Sequence, residues 1–101
     1  MAKKRTKETF TRWDASDYLR SEADMAAYLQ ACIAEAPDDA SLLTAAIGDI
    51  ARARGMSQLA KETGLTREGL YQALSPAGNP SLATVLKVLK ALGLTLAPRV
   101  A

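Results

Sequence analysis

Apolar positions recur at spacings of three and four along most of this chain, which places them on one side of successive α-helices. In "SEADMAAYLQACIAEAP" the stripe is Met25, Tyr28, Leu29, Cys32, Ile33 and Ala36. Ser21 is placed to cap this helix, and Asp24 three residues on resembles a capping box with Asp in place of Glu. Pro37 stops the helix. A short helical turn is predicted just before it, in "DASDYL". In "DDASLLTAAIGDIARARG" the stripe is Leu43, Ala46, Ile47, Ile50 and Ala51. Asp38 or Asp39 caps it, Arg52 and Arg54 suit the dipole of its last turn, and Gly55 is placed for the left-handed conformation that ends a helix.

Two shorter amphipathic runs follow, in "GMSQLAKETGLTREGLYQALS". Ser57 is expected to cap the first, which runs to Thr63, and Gly64 ends it. Thr66 is expected to cap the second, which runs to about Leu74. The loop "SPAGNPS" is rich in turn formers. Ser81 caps a last helix with Leu82, Val85, Leu86, Leu89 and Leu92 at helical spacing, and Gly93 closes it. "LTLAPRV" alternates apolar and polar residues, the pattern of a short strand. The expected fold is therefore all-α, a compact bundle of about five helices with a possible short C-terminal strand. A lone strand leaves its backbone unpaired, which points to pairing with a second chain.

Composition supports this reading. The chain has 101 residues, of which 49% are hydrophobic and only 5% aromatic, enough for one core built mainly from Ala and Leu. The net charge of +2 demands no nucleic acid on its own. Its distribution is uneven: "MAKKRTK" holds four of the 13 basic residues before the first acid, Glu8. Residues 1–13 read as a basic, flexible arm and residues 14–101 as a single helical domain. The arm is either a solvated terminus or a contact for phosphate or a partner. Phe10 and Trp13 either tack it onto the domain or enter a partner's pocket.

The same numbers exclude several kinds of chemistry. There is no His and one Cys, Cys32, which lies among apolar neighbours and reads as a small core residue. A zinc site is therefore not expected, nor any other metal or cofactor. An enzyme is not expected either: there is no Gly-rich phosphate loop, and the adjacent Asp38 and Asp39 suit capping better than paired acid–base work. No apolar run approaches a membrane span, and no signal core follows the basic start, so a cytoplasmic protein is expected.

Residues 57–75 match the mechanical needs of a helix-turn-helix. Ala60 is small where two helices cross, Gly64 tolerates positive φ, and Leu65 fills the angle between the helices. Leu70, Ala73 and Leu74 line the inner face of the second helix. Its outer face carries Arg67, Glu68, Tyr71 and Gln72. Arg pairs with guanine O6 and N7, Gln with adenine N6 and N7, and Glu accepts from cytosine N4. Ser57, Gln58 and Thr66 lie at helix starts, where polar side chains and free N–H groups suit phosphates. Each of these is also an ordinary polar residue of a solvated helix.

The stretch "MSQLAKETGLTREGLYQALSPAGNPSLATVLKVLKALGLTL" resembles the helix-turn-helix domain of phage-repressor-like regulators. With "WDASDYL", "AYLQACIAEA" and "AAIGDIARARG" added, residues 13–96 resemble the addiction-module antidote proteins, the antitoxins of type II toxin–antitoxin pairs. One departure from the wider repressor pattern concerns Gln58, which adjoins Leu59 instead of preceding Leu-Ala by a few residues. The resemblance implies a DNA-binding antitoxin that neutralises a RelE-type ribonuclease toxin by direct binding and represses its own operon. It also implies a phosphate contact for Asn79. The alternative is a stand-alone helix-turn-helix regulator with no toxin.

Two partner surfaces follow from these readings. Operator recognition by one short helix calls for two half-sites, hence a homodimer, with the last helix and tail at or near its interface. A toxin surface is expected in the segment surplus to DNA reading, where Phe10, Trp13 and Tyr18 accompany Asp14 and Asp17. Aromatic anchors are typical of interface hot spots, and acids complement a basic ribonuclease.

Overall fold

A computed structural model of the protein describes residues 19–98 and 100. Five helices follow one another: α1 (Glu22–Glu35), α2 (Ala40–Arg54), α3 (Met56–Thr63), α4 (Arg67–Ala73) and α5 (Leu82–Ala91). The fold is all-α, as the spacing of apolar residues predicts.

Side chains start four of the five helices or tie down their first turns. The Ser21 hydroxyl accepts from the Asp24 N–H at 3.1 Å, and Asp39 Oδ1 accepts from Leu42 N–H at 3.0 Å. Thr66 Oγ1 accepts from Gly69 N–H at 2.9 Å and Ser81 Oγ from Thr84 N–H at 3.1 Å. The capping box at α1 is shifted by one residue, since the Asp24 carboxylate accepts from the N–H of Arg20 and not from that of Ser21. At the far end Pro37 cannot continue α1, and the chain leaves it through Ala36 at φ −148°. α5 closes in a Schellman arrangement, with Leu94 N–H on the Leu89 carbonyl at 2.8 Å and Gly93 N–H on that of Lys90 at 3.0 Å.

The start of α3 departs from expectation. Ser57 does not cap it. The helix begins at Met56 directly after Gly55, which ends α2 and precedes α3 at once, so Ser57 lies inside the first turn and no side chain caps the helix. Gly55 has φ 114° and ψ 112°, positive but outside the left-handed helical region, because the chain must redirect between two helices within a single residue.

One core joins all five helices. Met25, Tyr28 and Leu29 of α1 meet Ile47, Ile50 and Ala51 of α2; Leu59, Leu70 and Leu74 come from α3, α4 and its C-cap; Val88, Leu89 and Leu92 come from α5 and its C-cap. Burying one such leucine or isoleucine contributes about 1.5–3 kcal/mol. Helices α1 and α2 pack together, α3 packs on α2, α4 and α5, and so α3 is the central strut. Gly48 permits the close approach of α2 to the end of α4: a Cβ there would lie 2.5 Å from the Leu74 carbonyl oxygen. Cys32 packs against this core and is half-buried.

Three expectations about apolar residues need correction. Val88 is fully buried on α5, whereas Leu82 and Leu86 are 67% and 46% exposed. The face that α5 turns inward is therefore rotated towards Val88. Ile33 of the α1 stripe is exposed as well, at the groove it lines with Leu43 and Leu82. The C-terminal strand is absent among the described residues: residues 94–98 have no regular secondary structure. Leu94 is buried and Leu96 is 52% exposed, so the two apolar residues of the pattern do not share a buried face, and among the described residues no partner strand exists to form a ladder.

Candidate nucleic-acid interface

Helices α3 and α4 are joined by Gly64, Leu65 and Thr66. Gly64 takes φ 78° and ψ 10°, the left-handed conformation expected of it, and its N–H bonds the Ala60 carbonyl at 2.9 Å. The Thr63 hydroxyl braces the same corner, donating to the Leu59 carbonyl at 2.8 Å and accepting from Leu65 N–H at 3.3 Å. Ala60 and Leu65 pack against the core from either side of the turn. Leu70 and Leu74 then hold α4 by its inner face, both essentially without solvent contact.

That anchoring settles which side of α4 faces outward. Arg67, Glu68 and Gln72 are exposed, and Tyr71 is 37% exposed. The Arg67 guanidinium carbon stands 5.0 Å from the centroid of the Tyr71 ring, and one of its nitrogens donates to the Tyr71 hydroxyl at 3.4 Å. A cation over an aromatic face is held by the ring quadrupole. Arg67 and Tyr71 thus form one unit on the outer face, an arrangement the i, i+4 spacing permits.

The other expected contacts are dispersed. Ser57 and Gln58 are exposed in the first turn of α3, but the Gln58 amide donates to Glu62 at 3.0 Å, and Glu62 also lies 3.7 Å from Arg54. An acid therefore occupies Gln58, the residue already out of register with the repressor pattern. Thr66 spends its oxygen on the α4 cap. Asn79 lies next to Pro80 at the edge of an apolar groove lined by α1, α2 and α5. Phe10, Trp13, Asp14, Asp17 and Tyr18, like the whole basic arm of residues 1–13, lie outside the described residues.

One buried polar cluster escaped the sequence reading. The Tyr28 hydroxyl donates to Asp49 Oδ2 at 2.7 Å, and Arg52 donates to Asp49 Oδ1 at 2.8 Å. Asp49 is 4% exposed, so these bonds replace water around a buried carboxylate. The signal was present in two forms: an acid beside the apolar stripe of α2, and a base three residues further on the same helix. Among the described residues no group of three or more His, Cys, Asp and Glu is placed to hold a metal ion. No helix among them is long and apolar enough to cross a membrane.

A family model described as "Probable addiction module antidote protein" matches residues 9–100. The chain belongs to this antidote family. The match spans all five helices, the turn between α3 and α4 and most of the N-terminal segment, and membership implies a toxin partner. The chain is also 49% identical over 87 residues to an uncharacterized protein of Haemophilus influenzae Rd, a match covering 86% of this chain and 88% of that one. No solved structure matches the chain.

Proposed function

We propose that this antidote is a DNA-binding antitoxin of the cytoplasm, acting without catalysis, that binds and neutralises a RelE-type ribonuclease toxin and represses its own operon. In this reading α3, the turn and α4 are a phage-repressor-like helix-turn-helix, and the protein works as a homodimer on two half-sites. Residues 1–13 serve as a basic arm and residues 14–101 as a single domain.

The observation that carries the DNA-binding half is the outer face of α4. Arg67, Glu68, Tyr71 and Gln72 are exposed on a short helix that Leu70 and Leu74 lock into the core. A helix anchored in this way can be inserted into a major groove as a rigid body, with its donors and acceptors aimed at base edges. Arg67 would read a guanine and Gln72 an adenine. Ser57, Gln58, Thr66 and Asn79 would contact the backbone and set register, which carries no sequence information. At α3, whose cap Gly55 has no side chain to offer, the first-turn N–H groups would serve a phosphate.

Family membership supports the toxin half, and the segment holding Phe10, Trp13, Asp14, Asp17 and Tyr18 is the proposed contact. A ribonuclease must attract RNA, so its surface is basic, and acids beside aromatic anchors complement it. The test is co-expression of the tagged chain with the small reading frame adjacent to its gene. Co-purification of the two, with loss of ribonuclease activity in the complex, is expected. Retention of activity in a stoichiometric complex, or no complex, would overturn the toxin assignment.

A further inference from the structure

Arg54, Gln58 and Glu62 are spaced by four residues across the junction of α2 and α3. Arg54 is the last residue of α2, and Gln58 and Glu62 lie one turn apart on α3. Long side chains of a helix lean towards its N-terminus, so the Glu62 carboxylate reaches back to Gln58 and on to Arg54. Its Oε2 accepts from the Gln58 amide at 3.0 Å, and its Oε1 lies 3.7 Å from an Arg54 guanidinium nitrogen, an ion pair too long to be a hydrogen bond. The Arg54 and Glu62 side chains are 31% and 33% exposed, so water and salt weaken the pair and an external anion can reach it. We propose that Glu62 is a built-in competitor for the DNA phosphate at the start of α3. In the free protein its carboxylate occupies Gln58 and Arg54; on binding, a backbone phosphate takes both donors and Glu62 turns out to solvent. This inference rests on the DNA-binding reading and gives Arg54 and Glu62 a part in it.

Two observations favour a phosphate as the competing anion. The first is the donor set. An amide and a guanidinium converge on the two oxygens of one anionic group, and a phosphate presents the same two-oxygen edge, to which Arg is suited. The second is the place. Gln58 lies in the first turn of α3, where no side chain caps the helix and the first N–H groups face the same anion. While Glu62 remains, Arg54 meets DNA with its charge already offset, and the phosphate must displace an internal anion before it gains a contact. That cost is the same for every DNA, because phosphate contacts carry no sequence information. Glu62 therefore lowers the affinity for all sequences alike and leaves the reading by Arg67 and Gln72 untouched.

The experiment is fluorescence anisotropy of the full chain with the region upstream of its own gene and with scrambled DNA of equal length, at 50 and 200 mM salt. The parent is compared with Glu62→Gln, with Glu62→Ala, and with Arg54→Ala/Gln58→Ala in the presence and absence of Glu62→Gln. Asp38→Asn, which removes one exposed negative charge in the turn before α2, is the control for net charge. Circular dichroism verifies the helices. Both Glu62 variants are expected to bind the two DNAs about three-fold to ten-fold more tightly at the lower salt, with the ratio between the DNAs unchanged. Their salt dependence should steepen by about one ion, since Arg54 then gains a phosphate without giving up a partner. Asp38→Asn should bind as the parent does, and Glu62→Gln should add nothing once Arg54 and Gln58 are alanine. Unchanged affinity in the Glu62 variants overturns the inference and leaves DNA binding standing. So does an equal gain in Asp38→Asn or in the Arg54→Ala/Gln58→Ala background, which would reduce Glu62 to net charge. A gain confined to the upstream region overturns it too and makes Glu62 part of sequence reading. A parent that binds neither DNA removes both the DNA-binding reading and this inference.

Discussion

The guanidinium of Arg67 and the ring of Tyr71 are stacked at 5.0 Å, one helical turn apart on the outer face of α4. The contact restrains a long side chain, which in the proposed DNA-binding role would lower the entropy lost on engaging a base. Arg67→Ala is expected to weaken specific binding by about 1–3 kcal/mol and to relax preference at one base position. Tyr71→Phe keeps the ring and loses only the 3.4 Å hydrogen bond, so it should bind nearly as the parent does. Tyr71→Ala should cost about 0.5–1 kcal/mol, the worth of an exposed cation–π contact. Fluorescence anisotropy against a panel of single-base operator variants checks all three. Equal losses for Phe and Ala would remove the stacking from the account.

The Tyr28–Asp49 bond joins α1 to α2 through the core. Tyr28→Phe takes a donor from a carboxylate that is 4% exposed, and a hydrogen bond to a charged group is worth about 1.5–3 kcal/mol. Urea unfolding is expected to show a loss of that size with an unchanged m-value. A loss below half a kilocalorie would mean that water or another donor replaces the hydroxyl.

Gly48 and Gly64 are small for different reasons, and alanine separates them. At Gly64 the backbone has φ 78° and a Cβ would meet nothing within 4 Å, so Gly64→Ala should cost only about 1–2 kcal/mol of left-handed strain. At Gly48 an added Cβ meets the Leu74 carbonyl oxygen at 2.5 Å, and backbone cannot move aside as a side-chain tip can. Overpacking of this kind costs about 1–3 kcal/mol, and it should also displace the end of α4. Thermal melts should therefore show losses in both variants. Chemical shifts around Leu70 and Leu74 should move in Gly48→Ala alone. Equal shifts in both would mean that the turn and the α2–α4 contact form one unit.

The five helices were legible because apolar residues recur at helical spacing in each, over only about two turns in α3 and α4, and four carry a Ser, Thr or Asp at the start, where its oxygen serves a free N–H. Gly64, Leu65 and Leu70 were legible for a similar reason, since a tight turn constrains residue types locally. What escaped depended on distant partners. The rotation of α5 that buries Val88 and exposes Leu82 is decided by packing on α3, which spacing within α5 cannot report. The strand pattern of residues 94–98 failed because pairing needs a neighbour, and none of the described residues supplies one. Ser57 looked like a cap only because a helix break was expected between Gly55 and it, whereas Gly55 alone makes the break. Asp49 was missed because a carboxylate beside an apolar stripe reads as solvated until Tyr28, 21 residues away, is seen to reach it.

The central claim is that the outer face of α4 reads DNA. Its most direct test is a titration of the full chain against the region upstream of its own gene and against scrambled DNA of equal length, each at 50 and 200 mM salt. The predicted result is tight binding to the upstream region, weaker binding to the scrambled sequence, and a fall of both with salt as phosphate contacts release counterions. Equal affinity for the two DNAs, or no binding to either at the lower salt, would contradict the claim.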